Sequence, residues 1–367
     1  MATFLKEGQI KFKRAWTRLK KADLLLWVGL LVVLALAVLV SLMLPKFVFR
    51  VSRVVDEEQK DVKAPVLYRH PLTGIELFEP LAELPQVFGV MIDNQVDAWP
   101  VSGIEDAFLV IEAPVEAAIP RFLAFFTGEQ EVTQIGPVRS ARPYFLDWNN
   151  ELDALFAHVG GSNAALDTIA SGGTFDLNQY WLGDYFWRAR NRLAPHNVFT
   201  STRRLSEYVE MRKTSATVPE LLYGVWTFKD SEPSQEGSGV MVEFDAPTYV
   251  VTWNYDPASA SDGYVREQAG EAHITESGAQ IASDNVAIVV TDIKILDEVG
   301  RRSVRTTGEG KAWVLQDGVV IDALWRKPSA TERLKFYDYS TDAELPMNAG
   351  TTWIEVVDSE EDVTFIP

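Results

Sequence analysis

Residues 24–44 (LLLWVGLLVVLALAVLVSLML) form a run of 21 residues without one charged side chain. As a helix rising about 1.5 Å per residue the run extends about 31 Å, which matches a hydrocarbon core of about 30 Å. A segment this apolar does not belong in a small water-facing domain, so the chain is expected to divide into a transmembrane helix and a separate folded part C-terminal to it. A cleaved leader is the competing reading, but leader cores usually run about 7–15 residues and no small-x-small cleavage pattern comes after Leu44. Lys6, Lys11, Lys13, Arg14, Arg18, Lys20 and Lys21 precede the run, and Lys46, Arg50 and Arg53 lie just beyond it. The positive-inside bias then places residues 1–23 in the cytoplasm and the main domains outside a plasma membrane crossed once. Phe12, Trp16 and Leu19, interleaved with the cations of residues 10–21, suit the inner headgroup surface, so membrane lipid is the first expected partner.

Charge separates the two parts further. Residues 1–50 hold nine basic and two acidic side chains, and the remaining 317 residues hold 25 basic and 50 acidic ones, a net charge of −25. Such a domain repels nucleic acid, so any anion it binds must enter a small focused pocket. The chain has no cysteine, which excludes a disulfide framework, a thiolate metal site and a lipid carried on Cys. Four histidines without ligand spacing give no zinc site, and no cofactor is expected unless Mg²⁺ binds through Asp93 or Glu112.

The expected class is α+β. Residues 45–85 read as a tether with a turn at Pro71-Leu72-Thr73-Gly74, and residues 223–239 as a linker rich in Ser, Gly, Pro and Glu. Between them, residues 86–222 alternate short runs rich in Val, Ile and Phe (87–92, 108–112, 121–127, 154–159) with helical patterns (142–151, 163–170, 202–212). This predicts a mixed α/β sandwich. Residues 240–367 predict a smaller, mainly β domain with strands at 240–244, 248–254, 286–296, 312–316, 319–325, 334–337 and 353–357. Asp317-Gly318 between two of these is a hairpin signal, because a type I′ turn needs positive φ at both centres.

Residues 86–200 carry six arginines, no lysine and fourteen acids, although the chain has fourteen lysines elsewhere. A planar fork that grips carboxylate or phosphate needs guanidinium specifically, so the segment reads either as an anion site or as a set of structural ion pairs. Arg139 and Arg142 flank a helix start at Pro143, where the macrodipole favours acids over cations. In the run ALFAHVGGSN (154–163) a strand enters Gly160-Gly161 before a helix that Ser162 or Asn163 can cap, with His158 beside it. Arg188, Arg190 and Arg192 recur at period two, and His196 comes shortly after them. Arg121 opens a strand and Asp93 closes one, at ends where α/β sites gather. Glu112 and Glu116 are placed to pair with the arginines or to hold a divalent cation. The ligand-binding set is therefore Arg121, Arg139, Arg142, Gly160, Gly161, Ser162, Arg188 and His196, with Asp93 and His158 as the acid or base candidates if the protein is an enzyme.

The runs VMIDNQ (90–95), SGIEDAFLVIEAPVE (102–116), RFLAFF (121–126), IGPVRSARPYF (135–145), HVGGS (158–162), YFWR (185–188) and APHN (194–197) resemble the YerB family of bacterial envelope lipoproteins. PLTG (71–74), YDPAS (255–259) and TWIEVV (352–357) extend the resemblance over most of residues 65–360. It implies a surface-exposed two-domain protein of undetermined biochemistry, with cell-wall synthesis proteins or a wall glycopolymer as partners. The chain departs from the family in using an apolar helix where a lipid-modified cysteine is usual, in Ala117-Ala118 where Gly-Gly is usual, and in Trp99-Pro100 where a basic residue is common.

The order of motifs is also similar to the LytR-CpsA-Psr family, which implies a polyprenyl-phosphate glycopolymer transferase in which Arg121, Arg139 and Arg142 hold pyrophosphate and Asp93 binds metal or acts as base. That is a fold-level analogy. Two expectations result: a non-catalytic module binding an anionic wall component or lipid-linked precursor, or a phosphotransferase or hydrolase acting on lipid pyrophosphate.

Overall fold

The computed structural model describes residues 26–42, 68–215, 218, 220–259 and 263–367. Contacts divide the chain into two units, Met1–Val66 and Leu67–Pro367. In the first, residues 26–42 are helical and exposed throughout. No described helix is long and apolar enough to cross a membrane, and both ends of the expected span, 24–25 and 43–44, lie outside the described residues. The expected cytoplasmic segment 1–23 and the first part of the tether, 45–67, also lie outside them.

The second unit is α+β and is organised by a ten-stranded mixed sheet. Its strands, in chain order, include β1 (Val87–Ile92), β2 (Leu109–Pro114), β3 (Pro120–Thr127), β4 (Leu155–His158) and β5 (Asp176–Asn178). Of the later strands, β6 (Gly239–Glu243), β7 (Val250–Tyr255) and β8 (Tyr264–Gln268) belong to a second sheet, followed by β9 (Asn285–Val290), β10 (Gly308–Gln316), β11 (Val319–Lys327), β12 (Lys335–Asp338), β13 (Thr352–Val357) and β14 (Val363–Ile366). The large sheet runs β12-β11-β10-β9-β13-β2-β3-β1-β4-β5. Strands β9, β13 and β2 are mutually parallel, as are β1, β4 and β5. The join between the two halves of the unit is the parallel pair β13–β2, which sets Glu355 opposite Glu112.

Every residue of β1, β2, β3 and β13 is buried, which accounts for their near-continuous apolar sequences. Alternation then sorts them by face. Phe88, Val90, Phe122 and Phe126 pack with Val240, Val242, Val251 and Trp253 of the smaller sheet, whose main path includes β8-β7-β6-β14. Val87, Met91, Leu123 and Phe125 join a second core with Phe145 and Trp148.

Helix α1 (Pro143–Asn150) starts on Pro143 after an extended Arg142 and buries Tyr144, Phe145, Leu146 and Trp148. Helix α2 (Asn163–Ala170) is capped by Ser162, whose Oγ accepts from Ala165 N at 3.3 Å. Helix α3 (Thr202–Ser215) turns Leu205, Tyr208 and Val209 inward at helical spacing. The Asp317-Gly318 hairpin forms as expected, with φ of 56° and 80° between paired Gln316 and Val319.

Three expectations change. The run 286–296 is not one strand: β9 stops at Val290, and Ile293–Ile295 pairs instead with Arg302–Val304. The break falls where Thr291 Oγ1 donates to Arg305 O at 2.8 Å and Asp292 takes Arg305 Nε at 2.7 Å, side-chain bonds that compete with the ladder. The tether reading fails from Tyr68 onward. Tyr68–Arg69 pairs with Glu76–Leu77, Leu72 is buried, and Thr73 O accepts from Gly350 N at 2.7 Å. The linker is likewise tied down, since Phe228–Lys229 pairs with Met347–Asn348 and Glu232 N donates to Asp317 Oδ1 at 2.8 Å. Polar composition suggested a tether and a linker, but strand pairing and hydrogen bonds fix parts of both segments against the fold.

Candidate functional site

Strand register brings Arg121 and Asp93 to the same end of the large sheet. Ile92, the last residue of β1, pairs with Phe122 of β3, so Asp93 just beyond it faces the level of Arg121, which itself pairs with Ala113 of β2. The segment leading into α1 adds Arg139 and Arg142. It is held against β1 by Arg139 N donating to Met91 O at 2.9 Å and against the turn after β4 by Val159 N donating to Arg139 O at 3.0 Å.

Three guanidiniums therefore converge. Arg121 Nη1 donates to Ser140 O at 3.0 Å, and Arg142 Nη1 lies 3.5 Å from the same oxygen. Arg142 grips Glu116 through Nε at 2.7 Å and Nη2 at 2.6 Å. Arg139 Nε lies 2.9 Å from Asp93 Oδ2, and His196 Nδ1 lies 2.7 Å from that same oxygen. Two carboxylates face three arginines. The excess falls on Arg121, which is 7% exposed and whose Nε is buried without a hydrogen-bond partner. Burial, then the neighbouring Arg142 and Arg139 charges, pull its guanidinium down to about 10 against the partial support of Asp93 and Glu116. The group remains charged at neutral pH, and an incoming anion would relieve the repulsion. Arg139 and Arg142 are accessible at 20% and 12% of their side-chain surface, so the cluster can be reached from solvent.

The other expected site residues sit differently. His158 is fully buried, with Nδ1 2.7 Å from Gly160 O and Nε2 3.3 Å from Asp176, and it stacks on Phe156. It braces the turn after β4. Gly160 N donates to Asn178 Oδ1 at 3.1 Å and Ser162 N to Ala141 O at 3.2 Å, so these amides are already engaged within the protein. Gly160 is needed for its left-handed φ of 61° and because a Cβ there would meet the Tyr180 ring at 2.5 Å. Arg188 is exposed and donates to Asn197 Oδ1 at 2.8 Å, and it makes none of the contacts of the three-arginine cluster. Asp93 and His196 do belong to it. Nε2 of the partly exposed His196 makes no hydrogen bond among the described residues.

A second polar centre lies next to the first, reached through Asn94. Asn94 Nδ2 donates to Glu112 Oε1 at 3.1 Å, and Asn94 Oδ1 accepts from Trp99 Nε1 at 2.9 Å. Arg266, from β8, places Nη2 2.8 Å from Glu112 Oε2 and Nη1 2.7 Å from Gln268 Oε1, with His273 Nδ1 as a further partner. Its guanidinium lies 5.2 Å from the Trp353 ring centroid, 5.6 Å from that of Phe122 and 5.9 Å from that of Trp253. Glu355 stands beside Glu112 and accepts from Trp253 Nε1 at 2.8 Å.

Burial, then the Glu112 charge, pushes the Glu355 carboxyl well above the usual range. Burial also raises Glu112, with Arg266 holding that rise back. The pair therefore shares one proton, held on Glu355, with the charge on the carboxylate that touches the guanidinium. Sequence reading leaves Glu112 and Glu116 either to pair with the arginines of residues 86–200 or to hold a divalent cation; Glu116 does pair with Arg142, but the partner of Glu112 is Arg266, which the reading misses together with Glu355. The available signal was a lone charge inside an otherwise largely apolar strand, Glu355 in TWIEVV; in YVREQ, Arg266 beside Glu267 gave no such mark.

An arginine cluster at one end of a mixed sheet, beside a buried carboxylate core that joins two chain segments, marks a two-part α+β unit. The chain belongs to the family described as "Protein of unknown function (DUF3048)", its N-terminal domain matching residues 72–215 and its C-terminal domain residues 240–354. It is similar to YerB of Bacillus subtilis (strain 168), named as a candidate lipoprotein, at 33% identity over 293 residues, which is 78% of this chain and 85% of YerB. It is also similar to the crystal structure of the YerB protein from Bacillus subtilis, with a TM-score of 0.72 and 30% identity over 82% of this chain and 100% of the other. The family resemblance read from the sequence is thereby shown.

Proposed function

We propose that this protein is anchored in the plasma membrane by residues 24–44, exposes its folded unit outside the cell, and binds a phosphate-bearing wall component or lipid-linked precursor at Arg121, Arg139 and Arg142. The observation that carries this reading is that the buried Arg121 has no ion pair of its own among the described residues, Asp93 and Glu116 supporting it only at a distance. A purely structural cluster would be expected to supply as many carboxylates as arginines, because an unpaired buried charge is costly. The anchor rests on the length of the apolar run and on the lipoprotein name of the relative, which places a protein of this family at a membrane by other means. The test is calorimetric titration of the full chain in detergent with inorganic pyrophosphate and with undecaprenyl pyrophosphate. Arg139→Ala should cost about 1.5–3 kcal/mol, roughly ten- to a hundred-fold in Kd. Absence of heat with both ligands rejects the reading.

The Asp93–His196 pair favours a second reading, a phosphotransferase or hydrolase acting on a polyprenyl-pyrophosphate-linked glycopolymer. A carboxylate orienting an imidazole at 2.7 Å beside three cations supplies a positioned base together with charge stabilisation. Product release in the presence of Mg²⁺, abolished by His196→Ala, distinguishes it from binding without turnover.

A further inference from the structure

We propose that two loops at the rim of the arginine cluster, residues 179–182 and 188–197, form a surface that docks on an anionic lipid bilayer. The inference deepens the anion-binding reading and rests on it in one respect: it makes the bound phosphate group one carried by a lipid.

Both loops are built against the cluster. Tyr180 lies over Gly160, in the turn that is hydrogen-bonded to Arg139 and Ala141, and the second loop includes His196, bonded to Asp93. They are joined to each other through Arg188, which donates to Asn197 Oδ1 at 2.8 Å and to Gln179 Oε1 at 3.4 Å. Together they expose Trp181 at 83%, Tyr180 at 65% and Leu193 at 86% of their surfaces. Scattered apolar residues on a surface need no explanation, but here two aromatic side chains and a leucine share a bonded pair of loops with arginines. Trp and Tyr favour the depth of lipid headgroups, where the ring is buried and the polar edge stays wet.

Charge selects the same face. Residues 177–197 hold three arginines against the single acid Asp184, within a folded unit whose overall charge is strongly negative. Screening over about 8–10 Å makes the local excess, and not the distant total, decide whether a face can approach an anionic surface. Arg192 is taken up by Ala98 O and Pro100 O, both at 2.6 Å, and by Glu276 Oε2 at 3.4 Å, which holds the second loop in place, while the exposed Arg190 faces solvent beside Arg188 and is the cation offered to lipid phosphates.

The chain has no cysteine, so a single introduced one can be labelled uniquely. Full-length Leu193→Cys, labelled with an environment-sensitive dye and reconstituted into phosphatidylglycerol vesicles, should be quenched by bilayer-brominated lipid several-fold more than the same dye at Val319→Cys. Val319 is also exposed, but lies on β11, toward the other edge of the large sheet. Adding Arg190→Glu should remove much of that quenching, and phosphatidylcholine vesicles should give little of it. Equal quenching at 193 and 319 overturns the proposal. So does a dye shift that appears without lipid and grows with protein concentration, which would assign the face to a second copy of the chain. Pyrophosphate titration of the same preparations separates the two ideas: quenching without pyrophosphate binding keeps the docking surface and removes the arginine pocket.

Discussion

Glu112→Gln and Glu355→Gln should change stability in opposite directions, although the two side chains face each other across adjacent strands and both are fully buried. Arg266 lies 2.8 Å from Glu112 and is ringed by Trp353, Phe122 and Trp253. Without the Glu112 charge that guanidinium is left buried and uncompensated, a loss of about 3–5 kcal/mol. Glu355 is the protonated partner, raised first by burial and then by Glu112. An acid whose folded pKa lies above its unfolded value, here 4.5, stabilises fully below that unfolded value and loses the contribution as pH rises toward the folded one. Within that window each pH unit removes about 1.4 kcal/mol.

A glutamine at 355 keeps an oxygen for Trp253 Nε1 and has no proton to lose. Glu355→Gln should therefore match the parent near pH 4.5 and exceed it by a margin that grows with pH, whereas Glu112→Gln should be less stable throughout. Urea unfolding of the full chain, monitored by tryptophan fluorescence at pH 5, 6.5 and 8, reads both effects. If Glu355→Gln is as destabilised as Glu112→Gln, or retains the parent's pH slope, the assignment of proton and charge is wrong.

Glu151→Gln should cost about 3–5 kcal/mol in urea unfolding, because Glu151 is the shared buried carboxylate of Lys327, at 2.9 Å, and Arg333. Gly318→Ala should lower stability by about 1–2 kcal/mol by thermal melting, since φ there is 80° and the new Cβ would lie 2.8 Å from the Tyr255 ring. Asp93→Asn frees Arg139 from its carboxylate and should tighten pyrophosphate binding severalfold in titration calorimetry. If Asp93 serves instead as catalytic support for His196, the same substitution abolishes turnover.

Local structure was legible where one physical signal dominated. The VFGVMI run reads as a strand and forms β1, buried on both faces. Asp317-Gly318 is a hairpin signal and forms one, and of the two caps open to α2, Ser162 and Asn163, the structure uses Ser162. The large sheet was not legible, because its central pair, β13 against β2, joins residues separated by most of the folded unit, and a parallel pair leaves no short-range turn signal. The same distance hid Arg266: its partner Glu112 is 154 positions away, and neither residue names the other.

The arginine site was legible by composition and not by geometry. Lysine-free spacing pointed to Arg121, Arg139 and Arg142, but it also drew in Arg188, which bonds Asn197, and His158, which is sealed beneath the turn after β4. What sets the converging residues apart is how they are connected to β1. Asp93 and Asn94 are consecutive residues just beyond that strand. The first takes Arg139 and His196, while the second takes Glu112, Trp99 and Gln268. An anion competing with Asp93 for Arg139 therefore pulls on the same stretch of backbone that closes the carboxylate core between the two halves of the unit. Under the proposed anion-binding reading, that arrangement gives a physical reason for the three arginines to outnumber their carboxylates: a third acid would satisfy Arg121 and leave the cluster with less to gain from a ligand.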